Sequence, residues 1–321
     1  MMQFWEAYPQ LSDELEQVKE IILRRAACDD DEVRQAVSQL FMASGKMLRP
    51  AFVLLASRFG TPDGERMIRV AAAVEMLHMA TLVHDDIIDA APVRRGIASL
   101  HALRGPRTAV LVGDWLFASC FSMIADLAGN RDGRALAQVV ARICGSEISQ
   151  SADKFVMHTS VRRYMRRIAG KTAALFALAF HVGAEESGCP APLVSLLRRL
   201  GYNLGMGFQI IDDILDFARD GAETGKPTGT DLCQGIFTLP VVLALRADDG
   251  RLAAALGRGG MTRRGISRAA RLVREARGID GARAAAESFT RRAIRAVDAL
   301  PPHPAGEILR AVTLKLLTRT Y

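Results

Sequence analysis

Apolar residues recur every three or four positions along most of this chain, the spacing that turns one side of an α-helix towards a core. The period predicts helices over Leu11–Arg25, Met67–Asp89, Thr108–Leu127, Ala135–Gln150, Val161–His181, Leu193–Phe217 and Ala282–Ala299. Breaks fall at Gly60–Gly64, Gly129–Gly133, Gly188–Pro192, Gly221–Gly229 and Pro301–Pro304, where turn-forming residues cluster. They are short enough to join helices within one body. No segment alternates with period two or carries a hairpin turn, and no unit of domain-repeat length recurs. The pattern predicts an all-α fold, one domain over 1–321 with roughly ten or more helices.

Composition agrees with that picture. Half of the 321 residues are hydrophobic, enough for a sizeable core, and Trp and Tyr are scarce beside the helix formers Ala, Leu, Arg and Met. The first ten residues lack a basic stretch leading into an apolar run, so no signal peptide is expected. No stretch approaches the roughly 18 unbroken apolar residues of a membrane span, and Ala173–Ala184 and Ile236–Leu245 read as buried helices. A soluble, cytoplasmic protein without a transmembrane segment is expected. Cys28, Cys120, Cys144, Cys189 and Cys233 are widely spaced and form no CxxC pair, which points to reduced thiols and no zinc site. Much of the formal charge of +7 is arginine after residue 245, such as Arg263-Arg264 and Arg291-Arg292. Solvated helix faces explain it, and with no aromatics interleaved, nucleic acid is not an expected partner.

Two aspartate patterns change the picture most. His84-Asp85-Asp86-Ile87-Ile88-Asp89 and Asp212-Asp213-Ile214-Leu215-Asp216 each place carboxylates at i, i+1 and i+4, one face of a helix. Like charges at this density repel unless a cation neutralises them. Hard oxygen ligands suit Mg²⁺, which takes one or two carboxylates and completes its shell with water and phosphate oxygens. One such motif could be an acidic turn; two, each inside an apolar helix, point to metal-held diphosphate, gripped between opposing faces. Candidate anion-binding cations accompany them. Lys46 and Arg49 flank a turn before a helix, Arg94 and Arg95 follow the first cluster, and Lys226 follows the second. Lys171 sits in an apolar helix, where an ammonium needs an anion. His78 lies seven residues before Asp85, and Gln209 one turn before Asp212.

In order along the chain, Gly45–Pro50, Glu75-Met76-Leu77-His78, His84–Asp89, Arg94-Arg95-Gly96, Gly113-Asp114, Gly145–Gln150, Lys171-Thr172-Ala173, Gly205–Phe217, Gly225-Lys226-Pro227, Asp231 and Thr238-Leu239-Pro240 resemble the trans-isoprenyl (polyprenyl) diphosphate synthase family. The resemblance covers nearly the whole chain. It implies an isoprenoid-synthase-type helical bundle around a deep cavity, a homodimer, and condensation of an allylic diphosphate with isopentenyl diphosphate. By this likeness Asp85, Asp89 and Asp212 lead in binding three Mg²⁺ ions, supported by Asp86, Asp213 and Asp216. Arg94, Lys171 and Lys226 would hold the allylic diphosphate, and Lys46, Arg49, His78 and Arg95 that of isopentenyl diphosphate. Thr172 and Gln209 would flank the allylic carbocation. The chain departs from the family at Ser44 and Met47 in the glycine-lysine-arginine element, at Ser146 before Glu147, and at Ile236, where lysine is common.

Product length should follow cavity depth below the first cluster, about one isoprene unit per helical turn of 5.4 Å. Ala80 and Thr81, one turn before Asp85, are small, whereas short-chain members tend to carry an aromatic there. The tail would pass Leu77, with Phe117 and Phe121 as candidate floor or as ordinary core residues. A product beyond twenty carbons, roughly thirty to fifty, is expected. Three other readings are a class I terpene cyclase, which would not need the Lys46–Arg49 element, a partner subunit of a heteromeric synthase, which should have lost aspartates, and an anion- or nucleic-acid-binding helical module, which explains the late arginines but neither aspartate cluster.

Overall fold

The computed structural model describes residues 4–26, 31–42, 45–94, 96–127, 130–218, 229–257 and 262–318. The helices are α1 (Pro9–Ala26), α2 (Asp31–Met42), α3 (Leu48–Ser57), α4 (Gly64–Ile88), α5 (Leu100–Leu127), α6 (Asn130–Ala152) and α7 (Val161–Ile168). A π-helical turn, Ala169–Ala173, leads into α8 (Ala174–Glu186), and α9 (Ala191–Ala218) follows. The remainder are α10 (Thr230–Cys233), α11 (Leu239–Arg246), α12 (Arg251–Gly257), α13 (Arg263–Glu275), α14 (Gly278–Asp298) and α15 (Pro304–Leu317). The all-α expectation holds. It missed a two-stranded antiparallel hairpin, Val93–Arg94 with Ile97–Ala98, whose two-residue strands are too short to show alternation.

The chain divides into two compact units, 1–137 with 178–198, and 138–177 with 199–321. In the first, α4 is the central element. Asp63 caps it by accepting from the backbone N–H of Arg66 at 3.2 Å. Its apolar residues run almost all the way round, as a helix enclosed by neighbours requires, and it packs on α1, α3 and α5. Phe52 of α3 stacks on Phe180 of α8 with ring centroids 4.8 Å apart. Beside them Gly183 lies against the Val53 carbonyl, with no room for a Cβ. Helix α5 is interrupted at Gly105, whose φ of 82° only glycine adopts without strain.

In the second unit, Phe217, Phe237, Val241, Val242, Leu252, Ile266 and Val273 form a common core. Arginine-rich α13 buries Ile266, Ala269, Ala270 and Val273 while Arg268, Arg271 and Arg274 stay exposed, the solvated face expected of this region. Helices Gly64–Ile88 and Leu100–Asp126 are long and apolar enough on average to cross a bilayer, although neither holds an unbroken apolar run of membrane-spanning length. The apolar window of the first is 67% buried within the protein and that of the second 39%.

Replacing Gly183 tests the α3–α8 packing. Gly183→Ala should destabilise the protein by about 1–3 kcal/mol, because the added methyl meets backbone that cannot swing aside. Chemical denaturation should show a lower midpoint at unchanged slope.

Candidate functional site

The first aspartate cluster ends α4. Asp89 is its C-cap, and its backbone N–H donates to the Asp85 carbonyl at 2.9 Å. Three carboxylates thus sit at the negative end of the helix dipole, where each costs stability rather than adding it. The middle one is neutralised by the protein. Asp86 is buried, 3% exposed, and faces Arg94 on the hairpin. Arg94 Nε donates to both Asp86 oxygens at 2.8 Å, and Nη2 reaches Oδ1 at 2.6 Å. Asp85 and Asp89, one turn apart, are half-buried.

The flanking residues have structural reasons for their identities. His84 Nε2 lies 3.3 Å from Asp114 Oδ1, and its ring stacks on Phe117 with centroids 5.4 Å apart. Gly113 leaves space for that ring, since a Cβ would come within 2.6 Å of His84 Nε2. Arg49 Nη1 and His78 Nε2 are 3.0 Å apart, so these two predicted site residues are brought together. The Thr81 hydroxyl donates to the His78 carbonyl at 2.7 Å. Ala80 and Leu77 are fully buried. The Leu77 backbone hydrogen-bonds the Cys120 thiol, which burial pushes up to about 12. Phe117 stands at the level of His84, and Phe121 is 37% exposed on the isolated chain.

The second cluster lies in the last two turns of α9 and repeats this division by other means. Asp213 is 4% exposed. Its Oδ2 accepts from the Tyr164 phenol at 2.6 Å and its Oδ1 from Gln209 Nε2 at 2.8 Å. Gln209 Oε1 in turn accepts from the Thr172 hydroxyl at 2.6 Å. One hydrogen-bonded chain therefore runs Thr172–Gln209–Asp213–Tyr164. Asp212 is exposed and Asp216 half-buried. Asp216 Oδ2 also accepts a long bond, 3.4 Å, from the backbone N–H of Asp231.

Burial raises Asp213 to about 7, against the lowering effect of its two donors, with repulsion from Asp212 adding to the rise. Asp231 is pushed up as well, by burial and then by Asp213, Asp216 and Asp212. Tyr164 is raised by burial and by the carboxylate it serves.

Thr172 and Lys171 occupy the π-helical turn, a local insertion that re-aims side chains and recurs at functional sites. The anion that Lys171 needs is Glu147, with Nζ 2.7 Å from Oε1. Ser146 donates to the Arg142 carbonyl at 2.8 Å and fills the space that a Cβ on Gly170 would occupy, so Ser146 is accommodated where Gly170 has no side chain.

Reasoning from sequence missed Tyr164, Arg167 and the pairing of Arg94 with Asp86. Tyr164 lies seven residues before Lys171, a two-turn spacing that could have flagged it. Arg167, 6% exposed, donates through Nη2 to the Phe237 carbonyl at 2.9 Å and lies over the Tyr164 ring at 5.5 Å. Arg95 and Lys226 fall outside the described residues.

Among the described residues no three acidic, histidine or cysteine side chains already converge on an ion position. The donor set nonetheless fits Mg²⁺. Each cluster sets three carboxylates on one helix face, and Mg²⁺ takes one or two such ligands and draws the rest of its shell from water and phosphate.

Paired carboxylates ending apolar helices, with cations held by built partners, define an all-helical protein equipped for divalent metal and a phosphate-bearing ligand. The chain belongs to the polyprenyl synthetase family, whose sequence profile matches residues 30–273. It is 40% identical over 316 residues to heptaprenyl diphosphate synthase component 2 of Geobacillus stearothermophilus, covering 98% of both chains. Its fold matches geranylgeranyl pyrophosphate synthase from Lactobacillus brevis with a TM-score of 0.94 at 32% identity, over 99% of this chain and 100% of that one. It also matches polyprenyl synthase from Caulobacter crescentus, solved with calcium and isoprenyl diphosphate, with a TM-score of 0.90 at 31% identity, over 99% and 96%.

The Asp213 environment predicts a pH dependence of stability in metal-free protein. Because its folded value lies above the unfolded 3.8, the folded state holds the proton more tightly, and stability is lost as pH rises from about 4 to about 7. Asp213→Asn should lack that component. Denaturation of both proteins across this range should show wild type losing stability relative to the variant as pH increases.

Proposed function

We propose that the protein is a Mg²⁺-dependent trans-polyprenyl diphosphate synthase that condenses an allylic diphosphate, such as farnesyl diphosphate, with isopentenyl diphosphate. The observation that carries this reading is the division of both aspartate clusters. In each, three carboxylates share one face near the end of a helix and the protein settles the middle one, by Arg94 at Asp86 and by Tyr164 and Gln209 at Asp213. When bound, Mg²⁺ would act as a Lewis acid, drawing charge from the diphosphate as it leaves. Asp85, Asp89, Asp212 and Asp216 would hold the ions, three in all, with Asp86 and Asp213 fixing their helices.

The remaining residues bind and orient. Lys46, Arg49 and His78 suit the diphosphate of isopentenyl diphosphate. Lys171 suits the allylic diphosphate, as does Arg94 beside its role at Asp86. The Thr172 hydroxyl and Gln209 amide, held by one another, present fixed dipoles to the allylic cation. Attack by the isopentenyl double bond then extends the chain, and the released pyrophosphate can take the departing proton, so no side-chain base is needed.

Product length is proposed to exceed twenty carbons. Ala80 and Thr81 present no aromatic bulk, and the Geobacillus relative is named for a heptaprenyl product, although the Lactobacillus one is named for geranylgeranyl. With Mg²⁺, labelled isopentenyl diphosphate and farnesyl diphosphate, the protein should elongate past twenty carbons, and EDTA should stop it. Ala80→Phe should shorten the product by one or more isoprene units with elongation retained. Failure to elongate any allylic primer would reject the enzymatic reading, and unchanged product size in Ala80→Phe would reject the proposed tail path.

We further propose a homodimer formed through α5. Leu103, Val110, Leu111 and Phe121 are exposed on this helix, more apolar surface than a lone soluble helix normally leaves uncovered. A second reading is a heteromer in which this chain is catalytic, favoured by the name of the Geobacillus relative, a component. Light scattering should give a dimer for purified wild type and a monomer for Leu111→Glu. A wild-type monomer, inactive until another chain is added, would favour the heteromer.

A further inference from the structure

The segment before α1 bears on Lys46. Trp5 is 1% exposed, and its indole Nε1 donates to the backbone carbonyl of Lys46 at 2.6 Å, across 41 residues of sequence. Phe4 packs edge-to-face on Trp5, with centroids 4.8 Å apart and planes at 80°. The Lys46 ammonium lies over the Phe4 ring, 4.7 Å from its centroid. Two neighbouring aromatics thus act on one lysine, one on its backbone and one on its charged end.

The backbone beside Lys46 needs such a hold. Met47, the N-cap of α3, has φ 46° and ψ 45°, the left-handed region that costs a residue with a side chain about 1–3 kcal/mol. Strained residues persist where surroundings over-determine them, and here Trp5 clamps the preceding carbonyl while Met47 itself is 4% exposed. Phe4 differs from Trp5 in what its ring contacts. It is half-buried, with one face under an exposed ammonium. A leucine there would pack comparably against Trp5 but has no negative ring face to attract a cation. Lysine's stem is flexible, and a ring beneath its end narrows the positions it samples before an anion arrives.

We infer that Phe4 and Trp5 are positioning residues for the diphosphate of isopentenyl diphosphate, acting through Lys46: Trp5 fixes the backbone from which Lys46 projects, and Phe4 pre-orients its ammonium. The inference rests on Lys46 as a diphosphate ligand of the proposed synthase. The platform would favour the substrate held directly by side chains over the one held through metal. Its signature is therefore a split between the two substrates.

Steady-state kinetics of wild type, Phe4→Leu, Phe4→Tyr and Trp5→Phe, with each diphosphate varied separately, test this. Phe4→Leu should raise KM for isopentenyl diphosphate about two- to fivefold, the weight of a partly exposed cation–π contact, with kcat, KM for farnesyl diphosphate and Tm unchanged. Phe4→Tyr, which keeps the ring, should match wild type. Trp5→Phe should raise the same KM and lower Tm. Phe4→Leu with an unchanged KM for isopentenyl diphosphate, or with both KM values raised alike, overturns the inference. Calorimetric titration with isopentenyl diphosphate in EDTA separates this from failure of the functional reading. Should wild type elongate nothing, that reading fails, and the titration still decides the platform: Phe4→Leu weakens binding by the same factor, or the platform is rejected.

Discussion

Three carboxylates at the C-terminal end of an apolar helix repel one another and oppose the helix dipole, and this chain accepts that arrangement twice. Much of the neighbouring structure can be understood as its consequence. At α4 the short hairpin brings Arg94 back onto Asp86, so that one of three negative charges is cancelled by a bidentate contact. At α9, among the described residues, no cation performs that task by direct contact with Asp213. A buried phenol and an amide satisfy its two oxygens instead, and the carboxyl is pushed up to about 7. The first solution sets a guanidinium against the middle carboxylate. The second leaves charge that depends on pH until a cation arrives. In both, the protein itself settles the middle carboxylate of the three.

The aspartate clusters were legible in the sequence because their geometry is local. Positions i, i+1 and i+4 share a helix face wherever that helix lies, and the apolar period around them fixes the helix. The long helices α4, α5 and α9 were legible for the same reason. Less could be read from α2 and α3, where the apolar positions of residues 31–57 are too short or too continuous to show a period; nine of the ten residues of α3 are buried. The π-helical turn at Ala169–Ala173 inserts one residue's worth of register within the helical period read over Val161–His181, which periodicity averages away.

Side-chain partnerships were the least legible part. That Asp86 would turn to Arg94, Lys171 to Glu147, or the Lys46 carbonyl to Trp5 depends on contacts made when distant segments pack, 8, 24 and 41 residues apart along the chain. A sequence shows that Lys171 needs an anion; it does not show whether protein or ligand provides one. In this structure the protein does. The ammonium is therefore already held in place by Glu147, and under the proposed function ligand contact would add to a fixed position instead of creating it.

The departures from the family pattern can be weighed in the same terms. Ile236 stands where a lysine is common, and it is buried, 7% exposed, so the missing ammonium is replaced by packing rather than by another exposed cation. One residue on, the carbonyl of Phe237 accepts from Arg167, a buried guanidinium whose charge acts on both Tyr164 and Asp213. Positive charge is thus present beside the second cluster, but it is anchored to backbone and shielded from solvent. Such a cation can offset the repulsion among Asp212, Asp213 and Asp216 continuously, whereas an exposed lysine chiefly offers a contact to an arriving anion. Under the proposed function, the isoleucine at position 236 would therefore bear on how tightly diphosphate is gripped more than on whether the cluster can form. Met47 follows the same logic: its side chain is buried, so under the proposed function the substitution would change what supports the anion site while the Lys46 ammonium itself is kept.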